Sequence, residues 1–334
     1  MDVKLIGGAP NISARAMCLL KALEEKKKDI LLLVKEEETF ADFANAFSSL
    51  QGLFSGPLDY EPLFWGSDPA LRAQAFKSLY VPRLFPLESQ PKCGAKPRIL
   101  LTTPEGLAEK IIGRDAYGSL TFEFRPGGTY PRAELSGKFQ RAGYARVAFV
   151  ENRADYAVRG SVIDFFSPDS EKPVRLFFSD TLESIRFFEI DTQATSGFLE
   201  GAVVTPNAGV GAATTVSGIQ LPVTGCHAAP VTAVAQQTVN TLGGLVGKGW
   251  RAFLDQGLEL PEEFELHTDE AFAFSALPAG AVDVKFGAVS NMNFNSDLAL
   301  VEGEVRRLKK EKYSVFLFCI NRGESDRLKD LFEE

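Results

Sequence analysis

Residues Tyr144–Glu189, YARVAFVENRADYAVRGSVIDFFSPDSEKPVRLFFSDTLESIRFFE, decide how the rest of the chain is read. Apolar residues alternate along them in short runs: Val147 and Phe149; Tyr156 and Val158; Val174, Leu176 and Phe178; Leu182, Ile185 and Phe187. Glu151-Asn152-Arg153, Ser167-Pro168-Asp169-Ser170 and Ser179-Asp180-Thr181 separate the runs. Such alternation, broken by turn formers, predicts an antiparallel meander with one buried face. Ser179-Asp180-Thr181 is short enough to close a hairpin. A small sheet of this kind suits docking better than catalysis.

Bulk properties narrow the class. A chain of 334 residues has room for about two to four domains. Its 45% apolar and 24% charged content is that of a water-soluble globular protein. A net charge of −8 argues against a chain built to coat nucleic acid, which needs clustered Lys and Arg. Cys18, Cys93, Cys226 and Cys319 are too scattered for a disulfide framework or a zinc site. The N-terminus lacks the pattern of a signal peptide, and no apolar run is long enough to span a bilayer. A cytoplasmic location is expected.

Before the meander, strands and helices alternate. Leu5-Ile6-Gly7-Gly8-Ala9-Pro10-Asn11-Ile12-Ser13-Ala14-Arg15 leads into Met17, Leu19, Leu20 and Leu23 at helical spacing. Glycines between a strand and a helix suggest a phosphate loop. The Lys and following Ser or Thr that such a loop needs are missing, so a plain turn with Ser13 near the N-cap is expected. Asp29–Val34 is a buried strand, and Glu36–Leu50 a helix with Phe40, Phe43, Ala44 and Phe47 on one face. Arg98–Thr103 and the residues from Pro104 repeat the strand–helix pattern. The alternation predicts a parallel α/β layer.

The meander also carries a resemblance. Tyr144, Arg146, Val150, Arg153, Tyr156, Val158, Arg159, Gly160, Ile163, Asp164, Phe165 and Phe166 stand in one ordered pattern. Pro173-Val174-Arg175 with Phe178 follows, then Glu183-Ser184-Ile185-Arg186, Phe188 and Gln193. This resembles the second domain of the transcription-repair coupling factors (Mfd), a domain shared with the excision-repair protein UvrB. The resemblance implies a docking surface for UvrA, with Arg159, Arg175 and Phe178 at the partner-binding positions. A guanidinium grips carboxylates bidentately, and Arg beside an aromatic ring is a common hot-spot composition. The plainer reading is a solvated arginine on a short strand. Between Arg175 and the Phe pair the chain has one residue fewer than its relatives. A one-residue slip changes the face, which leaves Phe177 as the alternative to Phe178. Glu183 and Arg186, three apart, are expected to form a weak surface ion pair.

The resemblance divides the chain into residues 1–118, the first part of a degenerate helicase-like α/β domain, and 119–196, an inserted antiparallel α+β docking domain with a helix over Arg132–Ala142. Residues 197–285 return to complete the first domain, and 286–334 begin a small α/β domain. Residues 201–247 carry no charged side chain. Cys226-His227 within them is too sparse a set for a metal or nucleophile site. Trp250, Phe253 and Leu254 are spaced as a helix face, and Val282–Phe286 as a closing strand. Leu298, Val301, Val305 and Leu308 mark a helix whose basic end, Arg306–Lys312, is a solvated terminus. Tyr313–Ile320 reads as a buried strand, and a last helix follows Asn321. RNA polymerase and DNA are partners of full-length relatives through domains expected to be absent here.

The expected function is a non-catalytic adaptor of nucleotide excision repair that binds UvrA, with no cofactor and no metal. The alternative is an accessory half of a nucleic-acid-dependent ATPase or helicase.

Overall fold

The computed structural model describes residues 3–54, 58–84, 96–207, 239–258, 260, 266–275, 282–288, 294–295, 297–315, 317 and 322–333. The chain opens with β1 (Val3–Gly7), α1 (Ile12–Lys26), β2 (Asp29–Leu33), α2 (Thr39–Leu50), β3 (Glu61–Trp65), α3 (Pro69–Leu84), β4 (Arg98–Thr102), α4 (Pro104–Ala108), β5 (Lys110–Ile112) and α5 (Arg114–Leu120). It continues through β6 (Phe122–Phe124), α6 (Arg132–Arg141), β7 (Ala145–Arg146), β8 (Asp155–Arg159), β9 (Val162–Phe165), β10 (Val174–Phe178), β11 (Leu182–Phe188), β12 (Thr195–Phe198) and β13 (Ala202–Val204). The last elements are β14 (Val239–Thr241), α7 (Leu242–Leu245), β15 (Trp250–Leu254), β16 (Glu270–Ser275), β17 (Val284–Lys285), α8 (Leu298–Lys310) and α9 (Arg322–Glu333).

A seven-stranded sheet in the order β17-β1-β16-β15-β2-β4-β3 is parallel throughout. Strands inside such a sheet are covered on both faces and read as continuous apolar runs. In β2, Ile30 and Leu32 pack under α1 and α2 with Phe43 and Phe47, while Leu31 and Leu33 face Phe76 and Tyr80 of α3. The strands that follow the inserted unit, β15 and β16, lie between β1 and β2. The sheet therefore closes only when the chain returns.

Several expectations change here. Trp250, Phe253 and Leu254 belong to a strand, β15, and not to a helix face. Helical spacing in a short apolar run cannot exclude a strand buried on both faces, and Arg251 and Ala252 are buried too. The Arg251 guanidinium is accommodated by the Ala22 carbonyl at 3.0 Å and the Glu270 carboxylate. β3, which was not expected, carries Pro62, a residue that an edge strand tolerates. The N-cap of α1 is Asn11, whose side chain accepts from the Ala14 amide at 2.9 Å; Ser13 lies inside the helix.

The second unit is the meander. Its six strands follow one another in the order β12-β11-β10-β9-β8-β7, antiparallel except for the β7–β8 pair. The paired β13 and β6 lie beside it. Leu135 and Phe139 of α6 fill the core against Tyr156, Ile163, Phe165, Leu176 and Ile185, with the Phe139 and Tyr156 rings stacked at 4.8 Å. The strand expected at Val147 and Phe149 stops at Arg146. The units are tied by Lys77 of α3, whose ammonium lies 2.6 Å from the buried Asp169 carboxylate. Asp169 also accepts from the Thr205 hydroxyl, and the Tyr144 hydroxyl donates to the Thr205 carbonyl at 2.9 Å.

α8 starts at an Asp297 cap and buries none of its residues. Arg306 and Arg307 pair with Glu302, Glu304 and Glu311 on its surface, in keeping with a solvated helix end. The buried strand expected over Tyr313–Ile320 does not appear among the described residues of that stretch: Tyr313 and Leu317 are exposed, and 313–315 belong to no strand. Phe316 and residues 318–320 lie outside the described residues, as does Cys226-His227. Among the described residues no helix is long and apolar enough to cross a membrane.

Candidate docking face

One face of the meander is covered by α6; on the other, Val150 packs with Ala157, Phe166 and Phe188 in a small buried cluster, and the part beside that cluster is open. Cross-strand register places Arg175 of β10 between Asp164 of β9 and Arg186 of β11, and Arg186 opposite Phe198 of β12. The next row holds Arg159, Val162, Phe177 and Ser184. Strand alternation puts these side chains on the face away from Val174, Leu176 and Phe178.

Asp164 is the centre of the face. Its carboxylate, 1% exposed, receives Arg175 Nε at 2.7 Å and Nη2 at 3.0 Å, and also a guanidinium nitrogen of Arg159. Arg175 gives its remaining contacts to Gln193, to the carbonyl at 2.9 Å and to Oε1 at 2.7 Å. Gln193 is held in place by a left-handed backbone at φ +58° in the β11–β12 turn and by its own side-chain bond to the Ile190 carbonyl. The Arg175 guanidinium also lies 4.4 Å from the centre of the Phe188 ring.

Aromatic rings flank this network. The Arg159 guanidinium stands 5.0 Å from the centre of Phe149, a ring that is 55% exposed. Arg186 sits 4.0 Å from Phe198, which is 73% exposed, and 5.8 Å from Phe177. Such cation–π contacts contribute about 0.5–1 kcal/mol each at exposed sites. The expected Glu183–Arg186 ion pair is absent from the salt bridges of the described residues. On a strand, alternate residues share a face; pairing three apart belongs to helices.

The predicted site residues therefore separate. Arg159 and Arg175 meet at one carboxylate on the open face. Phe178 is turned inward, 6% exposed, with Tyr130 edge-on at 6.5 Å and the Arg132 guanidinium 5.6 Å from its ring. The alternation already placed it with Val174 and Leu176. Its half-exposed neighbour Phe177 is the ring on the open face. Sequence reasoning missed Asp164, Gln193, Phe149 and Phe198 as parts of the face; the spacing of Asp164 and Gln193 within the motif was the available signal.

Elsewhere, a cleft of about 510 Å³ is lined by Glu37, Trp65, Arg72, Thr103, Glu105 and Glu109. Its polar groups satisfy one another: Arg72 and the Trp65 indole N–H both donate to Glu109, at 2.7 and 3.0 Å. No group of three or more His, Cys, Asp or Glu among the described residues is placed to share a metal ion.

A sheet face of seated arginines and exposed rings, braced by a buried carboxylate, has the composition of a protein-docking surface. Comparison with known proteins is more specific: residues 122–209 match the model of the UvrB interaction domain. A stretch of 108 residues is 34% identical to the transcription-repair-coupling factor of Myxococcus xanthus, over 32% of this chain and 9% of that protein. The Escherichia coli K12 transcription-repair-coupling factor is 29% identical over 109 residues, 32% of this chain and 10% of that protein. That of Haemophilus influenzae is 46% identical over 59 residues, 17% of this chain and 5% of that protein. The matched segments thus span a tenth or less of these relatives' length. The resemblance read from the sequence holds for about a third of the chain.

Proposed function

We propose that this chain is an adaptor of nucleotide excision repair that binds UvrA through the open face of the meander, as a module of the kind found in transcription-repair coupling factors. The observation that carries this reading is the coincidence of the UvrB interaction domain match with the seated arginines and exposed rings. Arginine and aromatic residues around a rigid centre are the composition of interface hot spots.

The parallel layer supports the non-catalytic part of the reading. Ligands of parallel α/β sheets bind at the carboxyl ends of the strands. At that end of β1, the Phe286 and Ala288 amides donate to the Gly7 and Gly8 carbonyls, each at 2.8 Å. Arg15 forms an ion pair with Asp255 across the mouth, between α1 and the end of β15. The chain thus occupies its own glycine turn. The seven-stranded parallel sheet favours the second reading, an accessory half of a nucleic-acid-dependent ATPase, in which the partners would include DNA. Contacts with RNA polymerase and DNA belong, on the first reading, to the rest of a coupling factor.

Calorimetric titration with UvrA tests the adaptor reading, with Arg159→Ala/Arg175→Ala beside the wild type and ATP titrated separately. Binding lost in the double variant, without ATP binding, is expected. A folded wild type that ignores UvrA, or binds ATP, overturns it.

A further inference from the structure

The arginines of the open face are not equivalent. Arg175 is 11% exposed at its side chain and makes four hydrogen bonds inside the molecule, out of the five N–H groups a guanidinium carries. It has no bidentate edge left for a partner. The Arg159 side chain, 37% exposed, has one hydrogen bond among the described residues, to Asp164, and lies on the exposed Phe149 ring. Arg186 has no carboxylate partner among the described residues. It is held between Phe177 and Phe198, and its buried Nε has no acceptor there. Ring seating fixes the guanidinium plane and lowers the entropy lost when it binds a carboxylate.

Resting on the UvrA-docking reading, we infer that the partner presents acidic side chains that are gripped at two ring-seated arginines, Arg159 on Phe149 and Arg186 between Phe177 and Phe198. Arg175 is a positioning residue that acts through Asp164. Charge complementarity selects the occupant: a guanidinium with no carboxylate partner among the described residues, seated on the exposed Phe198 ring, calls for an acidic surface with an apolar border. The pattern of contacts differs from the resemblance, which puts Arg175 and Phe178 at the partner and leaves Arg186 out.

Titration of UvrA into the full chain at low and moderate salt separates the roles. Arg186→Ala is expected to weaken binding about tenfold or more, with Arg186→Lys recovering part of it. Both Arg186→Ala and Arg159→Ala reduce the salt dependence, since each removes a charge that meets the partner. Arg175→Ala, measured below its melting temperature, weakens binding while the salt dependence stays that of the wild type. Phe198→Ala, exposed and so folding normally, follows Arg186→Ala. Wild-type binding that Arg186→Ala and Phe198→Ala leave unchanged overturns this assignment while the docking reading stands. A wild type that fails to bind UvrA overturns both.

Discussion

Asp164 is the residue on which the docking face depends. A carboxylate buried between two guanidinium groups forms an ion pair with each, and removing it leaves Arg175 without its main partner. Asp164→Ala should cost roughly 3 kcal/mol, read by urea unfolding, and should release Arg159 and Arg175 together. Phe177 and Phe178 form a sharper pair. Phe178→Ala opens a core cavity and should cost roughly 3–5 kcal/mol. Phe177→Ala should leave the unfolding midpoint nearly unchanged and weaken UvrA binding. The reverse pattern would mean that the strand presents its other face. At this scale the sequence was informative about identity more than orientation. Arg159 and Arg175 stood out, but the seat of Arg175 depends on Gln193 from a later turn. The seat of Arg186 likewise depends on Phe198 from the following strand.

At the scale of elements, period-two alternation gave the meander and its hairpins, because one face is buried throughout and the other only in part. The same logic fails for strands buried on both faces. β15 lacks alternation, so helical spacing among three of its residues misled. Turn chemistry places α1: Asn11 caps it, and Asn11→Ala should cost about 1 kcal/mol. Gly8 matters more for the turn itself. Its φ is +80°, and an added Cβ would stand 2.8 Å from the Gly287 backbone nitrogen. Gly8→Ala should therefore destabilise by about 1–3 kcal/mol, measured by thermal melting, and loosen the contact with residues 286–288.

For the whole molecule, the governing fact is that among the described residues β1 pairs only with β16 and β17, both supplied after the inserted unit. A chain ended after Asn207 should lose the parallel layer, detected by limited proteolysis, since β1 and β2 would have no strand between them. Titration of buried and edge groups gives the molecule a stability window. Burial raises the phenols of Tyr80, Tyr117 and Tyr144 above their ordinary value of 10.0. Their contribution is complete below that value and lost as pH rises, so phenolate absorbance should grow together with unfolding. At the other end, the Gly249 amide and then Lys28 hold Asp269 low, and Lys26 holds Glu270 low. That stabilisation is present above their ordinary values of 3.8 and 4.5 and lost as pH falls through the lowered ones. The strand–helix alternation made the layered architecture legible. The order of its strands was not, because sequence distance says little about which strand a returning chain inserts beside.

Hydrogen–deuterium exchange of the chain with and without UvrA tests the docking face most directly. The account predicts slowed exchange over β10–β12, residues 174–198, on adding UvrA, with the parallel strands β2 and β4 unchanged. Protection confined to the parallel layer, or none under conditions where UvrA binds, would contradict it.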